Sequence, residues 1–330
     1  MIGLIAALMA LSAQDTPPPI LDMHIHTSSA DENGPPGLPV CPGIFVRLPP
    51  REPAKPWGVQ FMDVFAEPRC DEPIYGAPTD EAVLEQTLEV VRRRNIIGVL
   101  SGPPDRVLSW LEVEPHHFLP GVQLRIGRDD LSPDDYAKLF ADGPFMSLGE
   151  ISNQYAGIGP LDERMAPYWA MAEKADVPAL IHMGYGPPGA GGLFPAYRLS
   201  HSNPALLEDI LIRHPNLRIG IMHMGEPYYD EAIGVLSIYP NVFIDIGGAS
   251  WSHGRAHFWR VLKMFVDAGH ADRLMFGSDG MNWPGLIEPA LAAIEEAPFL
   301  TDEQRRDILY NNAARFLKLD EDTIAAHHGR

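Results

Sequence analysis

From residue 78 onward, the chain alternates short apolar segments with longer amphipathic ones. Strands are predicted over 20–26, 96–100, 119–126, 145–151, 177–183, 217–223, 242–246 and 273–276. The later strands are continuous apolar runs, as expected for a parallel sheet covered on both faces. Eight βα units in 330 residues predict a (β/α)8 TIM barrel. An open doubly wound sheet would require a Gly-rich phosphate turn after its first strand, where this chain has His-x-His.

The helices between these strands begin with recognisable caps. Thr79 precedes a helix predicted to reach about Arg94, and Ser132-Pro133 opens another. The remaining helices are predicted over 103–114, 162–175, 203–213, 229–237, 255–268, 286–295 and 302–317, the last of which closes the chain.

A long segment rich in Pro and Gly, residues 27–78, interrupts the pattern after the first strand. We expect an irregular insertion over the C-terminal end of that strand, because loops of this length are either functional or disordered. Arg47 in this insertion is a candidate substrate-binding residue. Cys41 and Cys70 would pair in an oxidising compartment and would remain separate thiols in a cytosol.

Residues 1–13, MIGLIAALMALSA, resemble the apolar core and cleavage zone of a signal peptide, although no basic residue precedes the apolar run. This segment is too short to span a bilayer. We expect a periplasmic or secreted protein with one domain over 14–330, or a cytoplasmic one if the segment is not a signal.

The formal net charge is −19. Such a surface disfavours nucleic acid and anionic membranes as partners, and the expected partner is a small-molecule substrate. The chain is also a candidate homo-oligomer.

Histidine and acidic residues stand where the predicted strands end. His24 and His26 are two residues apart on a strand, so their imidazoles point to the same side. The other strand-end residues of this kind are Glu150, His182, His223, Asp245 and Asp279. Because the C-terminal strand ends of a barrel converge, this set predicts a site for a divalent metal.

The ordered motifs DMHIH, LIHMG, IMHMG and GSDG, with NNAARF at 311–316, resemble the amidohydrolase superfamily and specifically its amidohydrolase-2 branch. The resemblance covers essentially the whole chain after residue 13. It implies a divalent metal, usually zinc, bound by His24, His26, His182 and Asp279. It also implies that His223 is either a catalytic acid/base or a ligand of a second metal.

This ligand set would leave a position open for an activated water. Asp279 and His223 are the candidate catalytic residues, with Asp279 taking the proton of water and His223 polarising the substrate carbonyl. Asp22 would be a hydrogen-bonded residue lower in the barrel or would orient a ligand. Asp245 is placed to hold His223.

Glu150 stands at the end of the fourth strand, where many amidohydrolases carry a carboxylated lysine. We predict that it is a metal ligand that bridges two ions, with His182 and His223 on the second one. The alternative is a one-metal site in which Glu150 contacts a ligand or the substrate.

The function that we predict from this site is metal-dependent hydrolysis of an amide, ester or lactone of a small molecule. The alternatives are a lyase that decarboxylates or hydrates a small carboxylic acid, and a metal-holding protein without turnover. Besides Arg47, the candidate substrate-binding residues are Asn153, Tyr185 and Trp251, which follow strand ends, as do Tyr155, Arg198 and His253.

Overall fold

The computed structural model describes residues 17–129 and 131–329. The predicted signal segment, 1–13, lies outside these residues. The strands are β1 Ile20–His26, β2 Pro39–Val40, β3 Ile74–Tyr75, β4 Ile96–Ser101, β5 Phe118–Leu119, β6 Gly121–Leu124, β7 Ser147–Ile151, β8 Ala179–Ile181, β9 Ile219–Ile221, β10 Val242–Asp245 and β11 Leu274–Met275.

The α-helices surround these strands. They are α1 Trp57–Ala66, α2 Asp80–Arg94, α3 Pro104–Val113, α4 Pro133–Asp142, α5 Ala166–Lys174, α6 Ala190–Leu193, α7 Glu208–Arg213, α8 Tyr229–Ile238, α9 Ala249–Ser252, α10 Arg255–Asp267, α11 Ile287–Glu295, α12 Asp302–Arg306, α13 Asn312–Leu317 and α14 Glu321–His328. Within the described ranges, none of the helices is long and apolar enough to cross a membrane.

The predicted helix caps are confirmed. The Thr79 hydroxyl accepts a hydrogen bond from the Ala82 amide at the start of α2. Ser132 and Asp135 form a capping box at the start of α4, with Pro133 in the first turn. These contacts satisfy amide groups that have no partner within the helix.

The parallel strands follow one another in chain order. One sheet contains β1-β4-β5, and the other contains β6 to β11 in sequence. β5 and β6 occupy the position of one predicted strand, which is divided at Pro120, a residue without an amide hydrogen. At the opposite edge, the Met23 amide donates to the Phe276 carbonyl, and the Asp279 amide donates to the His24 carbonyl. The eight strand positions confirm the (β/α)8 architecture.

The insertion after β1 is more ordered than predicted. It contains the ten-residue helix α1 and the antiparallel pair β2–β3. Cys41 and Cys70 are joined by a disulfide, with their Cα atoms 6.0 Å apart. The Trp283 indole donates to the Leu38 carbonyl, which fixes the insertion against the segment after β11. The prediction of an irregular insertion is therefore wrong for these parts of it.

Two predicted helices are divided. The segment predicted over 203–213 begins with a 3-10 turn, Pro204–Leu207, before α7. The helix predicted over 302–317 consists of α12, a π-helical turn at Asp307–Asn311 and α13. It does not close the chain, because α14 follows it.

The apolar core has two parts. Most buried side chains lie between the strands and the surrounding helices. A second cluster includes Leu21, Met23, Met222 and Met275 from the strand region and Phe316 from α13. This packing holds β1, β11 and α13 together, and thereby supports the strand ends from which the site is built.

Candidate metal centre

The ends of β1 and β11 bring three predicted ligands together. The Nε2 atoms of His24 and His26 are 3.1 Å apart, as the two-residue spacing predicted. Asp279 Oδ1 lies 3.1 Å from His26 Nε2 and 3.5 Å from His24 Nε2. Two imidazole nitrogens and one carboxylate oxygen therefore face one point.

Two buried carboxylates hold His24 on the side away from the other ligands. Asp245 Oδ2 lies 2.6 Å from His24 Nδ1, so Nδ1–H donates to Asp245 and the lone pair of Nε2 faces the site. Asp22 Oδ1 accepts hydrogen bonds from the His24 and Ser278 amides. A Cβ at Gly277 would lie 2.0 Å from Asp245 Oδ1, so glycine is required there. The expectation that Asp245 holds His223 is wrong, because the Asp245 hydrogen bond goes to His24.

A second group lies at the ends of β7, β8 and β9. Glu150 Oε1 is 2.6 Å from His182 Nδ1 and 3.2 Å from His223 Nε2. The two imidazole nitrogens are themselves 2.8 Å apart. The other Glu150 oxygen, Oε2, is 3.7 Å from His26 Nε2. Glu150 therefore directs one oxygen toward each group.

Each imidazole of the second group has a neutral hydrogen-bond partner on its far side, and His223 Nδ1 also lies 3.8 Å from Asp279 Oδ2. His223 Nδ1 lies 2.9 Å from the Gly247 carbonyl oxygen. The Tyr155 hydroxyl lies 3.3 Å from His182 Nε2. These contacts leave His182 Nδ1 and His223 Nε2 facing Glu150.

The backbone at two of these residues is unusual. His223 has φ 55° and Asp279 has φ 52°. Left-handed backbone is uncommon for residues other than glycine, and it concentrates at functional sites. The turn that contains His223 begins at Met222, directly after β9, so the predicted strand end at 223 is two residues too late.

The carboxylates of this buried site raise the pKa of two of its histidines. Burial opposes the charged form of His26, but a hydrogen bond to Asp279 and the charges of Glu150 and Asp279 raise its pKa to about 9. Burial likewise opposes the charge of His223, but Glu150 and Asp279 raise its pKa to about 10. The pKa of Glu150 is lowered despite burial, mainly by the charge of His182. The carboxylates therefore favour positive charge here, carried by protons or by a divalent cation.

The donor set fits a divalent metal. Two imidazole nitrogens bound to one tetrahedral zinc ion at about 2.0–2.1 Å are about 3.3 Å apart, and the nitrogens of the two pairs are 3.1 Å and 2.8 Å apart. Three groups bring their ligand atoms within 4.8 Å of one another: His24, His223 and Asp279; His24, His26 and Glu150; and Glu150, His182 and His223.

Three predicted substrate-binding residues use their polar atoms within the protein. Arg47 donates to the carbonyls of Pro42 and Arg69. Asn153 accepts from the Ile126 amide, and the Trp251 indole donates to the Ser278 carbonyl. Their positions favour roles in holding loops around the site.

Tyr185, the fourth candidate, is half-buried between two rings. Its ring centroid is 5.8 Å from that of Phe45 and 5.9 Å from that of His253. His253 Nε2 in turn lies 2.7 Å from Glu226 Oε1. No spacing rule in the sequence identifies this contact or that of Tyr155 with His182, since both depend on how loops fold back.

The family model for amidohydrolases, of the Amidohydro_2 type, matches residues 21–319. The chain belongs to the amidohydrolase family. This membership identifies an enzyme, and its site carries a His/Asp/Glu group suited to a metal.

Protein fluG of Emericella nidulans is a curated relative, 23% identical over 172 residues that make up 48% of this chain. The matched region is 19% of the length of fluG, so this amidohydrolase corresponds to a small part of that protein.

Two solved enzymes share the fold over almost their whole length. One is a probable 2-pyrone-4,6-dicarboxylic acid hydrolase from Acinetobacter baumannii, with TM-score 0.58 and 13% identity, covering 91% of this chain and 99% of its own. The other is 4-oxalomesaconate hydratase from Rhodopseudomonas palustris, with TM-score 0.56 and 16% identity. The match covers 93% of this chain and 98% of the hydratase chain.

Proposed function

We propose that this amidohydrolase hydrolyses an amide, ester or lactone at a centre that holds two divalent ions, with zinc as the metal. The observation that carries the proposal is the position of Glu150, which directs Oε1 at His182 and His223 and Oε2 at His26. A carboxylate so placed can bridge two ions and offset part of their mutual repulsion.

The first ion would be held by His24, His26 and Asp279, and the second by His182 and His223, with Glu150 shared. Two roles were predicted for His223, a catalytic acid/base and a metal ligand. We assign it as a ligand, because its Nε2 atom faces Glu150 and His182. When bound, a divalent cation supplies Lewis acidity and lowers the pKa of water from about 15.7 toward about 7.

The remaining steps belong to the protein. Water adds to the acyl carbon, the bond to the leaving nitrogen or oxygen breaks, and the products are an acid and an amine or alcohol. Asp279 takes the proton of the water and returns it to the leaving group. Its backbone amide donates to the His24 carbonyl, which keeps the carboxylate at the first pair.

A lyase activity is the second candidate, because the hydratase from Rhodopseudomonas palustris shares the fold over 98% of its chain. The test is a panel of esters, lactones and amides, and in parallel small carboxylic acids, offered to zinc-loaded protein. Acid release from the first set supports hydrolysis. Release of CO2 or addition of water to a double bond, without ester or amide cleavage, would reject it.

We also propose that the protein is exported. The Cys41–Cys70 disulfide supports this, because disulfides persist mainly in oxidising compartments. Mass spectrometry of the protein from its native host should find an N-terminus near residue 14. An intact Met1 form in the cytoplasm would contradict export.

A further inference from the structure

An apolar groove of about 650 Å³ lies between α1 of the insertion and the segment that contains α6. It is lined by Pro56, Trp57, Gly58, Val59, Met62, Gly189, Gly191, Gly192 and Leu193. None of these residues carries a charged or hydrogen-bonding side chain apart from the indole of Trp57. The groove can therefore select a ligand by shape and apolar contact only.

Glycines allow the two sides to meet. A Cβ at Gly189 would lie 2.8 Å from the Cα of Gly58, so the two backbones touch at this end of the groove. By contrast, a Cβ at Gly191 or Gly192 would meet no atom within 4 Å. The groove is thus closed where Gly58 meets Gly189 and open beside Gly191 and Gly192.

Three apolar side chains in the walls of the groove are exposed. Val59 is 62% exposed, Met62 39% and Leu193 44%. Exposed apolar side chains that line one groove are typical of a binding site.

The groove adjoins the metal centre through two aromatic side chains. Leu193 lines the groove, and its neighbour Phe194 packs on Tyr155 with ring centroids 5.0 Å apart. The Tyr155 hydroxyl is 3.3 Å from His182 Nε2. Two packed side chains, Phe194 and Tyr155, therefore lie between the groove and His182.

We propose that the substrate carries a linear alkyl or acyl chain that lies in this groove while its ester, amide or lactone bond lies at the metal centre. This inference rests on the proposed hydrolase function and names its substrate class. A small-molecule chain suits the groove better than a peptide, because the lining offers few polar groups for a peptide backbone and the volume lies in the usual ligand range of about 300–1,000 Å³.

The first experiment measures kcat/KM for p-nitrophenyl esters with acyl chains of two, four, six, eight and ten carbons. Each buried methylene contributes up to about fourfold. In this open groove we expect at least a tenfold rise from the four-carbon to the eight-carbon ester. Leu193→Asp should reduce that ratio to less than threefold. Ile212→Asp, on an exposed residue of α7, should keep the ratio of the wild type.

If the short esters are hydrolysed and chain length has no effect, the groove proposal is wrong and the hydrolase proposal stands. Light scattering tests the rival occupant, a second copy of the chain. A wild-type dimer that Leu193→Asp converts to monomer, with a flat chain-length profile, would assign the groove to a subunit interface.

A second measurement does not depend on turnover. Trp57 lines the groove, so 12-bromododecan-1-ol should quench its fluorescence saturably in the wild type. The saturable component should disappear in Trp57→Phe, and at least tenfold more quencher should be needed in Leu193→Asp. Absence of saturable quenching in the wild type would overturn the proposal even if no ester is hydrolysed.

Discussion

The two halves of the metal centre are supported differently. In the first half, His24 is fully buried and its Nδ1 atom contacts the Asp245 carboxylate at 2.6 Å. In the second half, His182 is supported by the neutral Tyr155 hydroxyl at 3.3 Å. Hydrogen bonds to charged groups are roughly twice as strong as neutral ones. We therefore expect the first ion to be bound more tightly than the second.

The largest expected effect comes from removing a ligand of the first half. His24→Ala removes an imidazole and leaves the buried Oδ2 atom of Asp245 without its partner. Because Lewis acidity contributes several kcal/mol, kcat/KM should fall by about 10³-fold or more. Elemental analysis should show loss of metal at the same time. A purified His24→Ala protein with full metal content would place the site elsewhere.

Asp245→Asn tests the charged support while leaving every ligand in place. Loss of an outer hydrogen-bond partner of a ligand typically costs about 10–100-fold in metal affinity. We expect a loss in this range for the tighter ion, measured by competition with a chelator. Asp272→Asn, at a surface carboxylate, is the matched control. Equal metal affinity in the wild type and Asp245→Asn would contradict the claim that the Asp245 charge makes the first half of the centre bind its ion more tightly.

Tyr155→Phe tests the neutral support and should have the smallest effect. A neutral hydrogen bond contributes about 0.5–1.5 kcal/mol, or about two- to tenfold in affinity. The loss should affect the more weakly bound ion only, with Tyr75→Phe as the exposed control. A larger loss than that caused by Asp245→Asn would show that the neutral side provides the stronger support.

The first half of the centre was predictable because residues close together in the sequence determine its geometry. The two-residue spacing of His24 and His26 on a strand fixes where both imidazoles point. The positions of Glu150, His182 and Asp279 followed from strand ends that converge in a barrel. Their assignment as ligands remains a prediction.

The supporting contacts were not predictable because they depend on distant segments. Asp245 contacts His24 across 221 residues of sequence, whereas the Nδ1 atom of the expected partner His223 contacts the Gly247 carbonyl. In the insertion, the high content of Pro and Gly predicted irregular structure, so the helix α1 was not expected. Arg47, Asn153 and Trp251 were correctly placed after strands or in the insertion, but sequence does not show that carbonyls and amides of neighbouring loops occupy their polar atoms.

The most direct test of the account is the number of metal ions bound to the wild type and to Glu150→Gln, measured by elemental analysis after dialysis. The amide keeps the shape of the side chain but removes the charge that would hold two cations together. Glu231→Gln, in the first turn of α8, is the control. The account predicts two equivalents in the wild type and control, and one or none in Glu150→Gln. One equivalent in all three proteins would contradict a bridging Glu150.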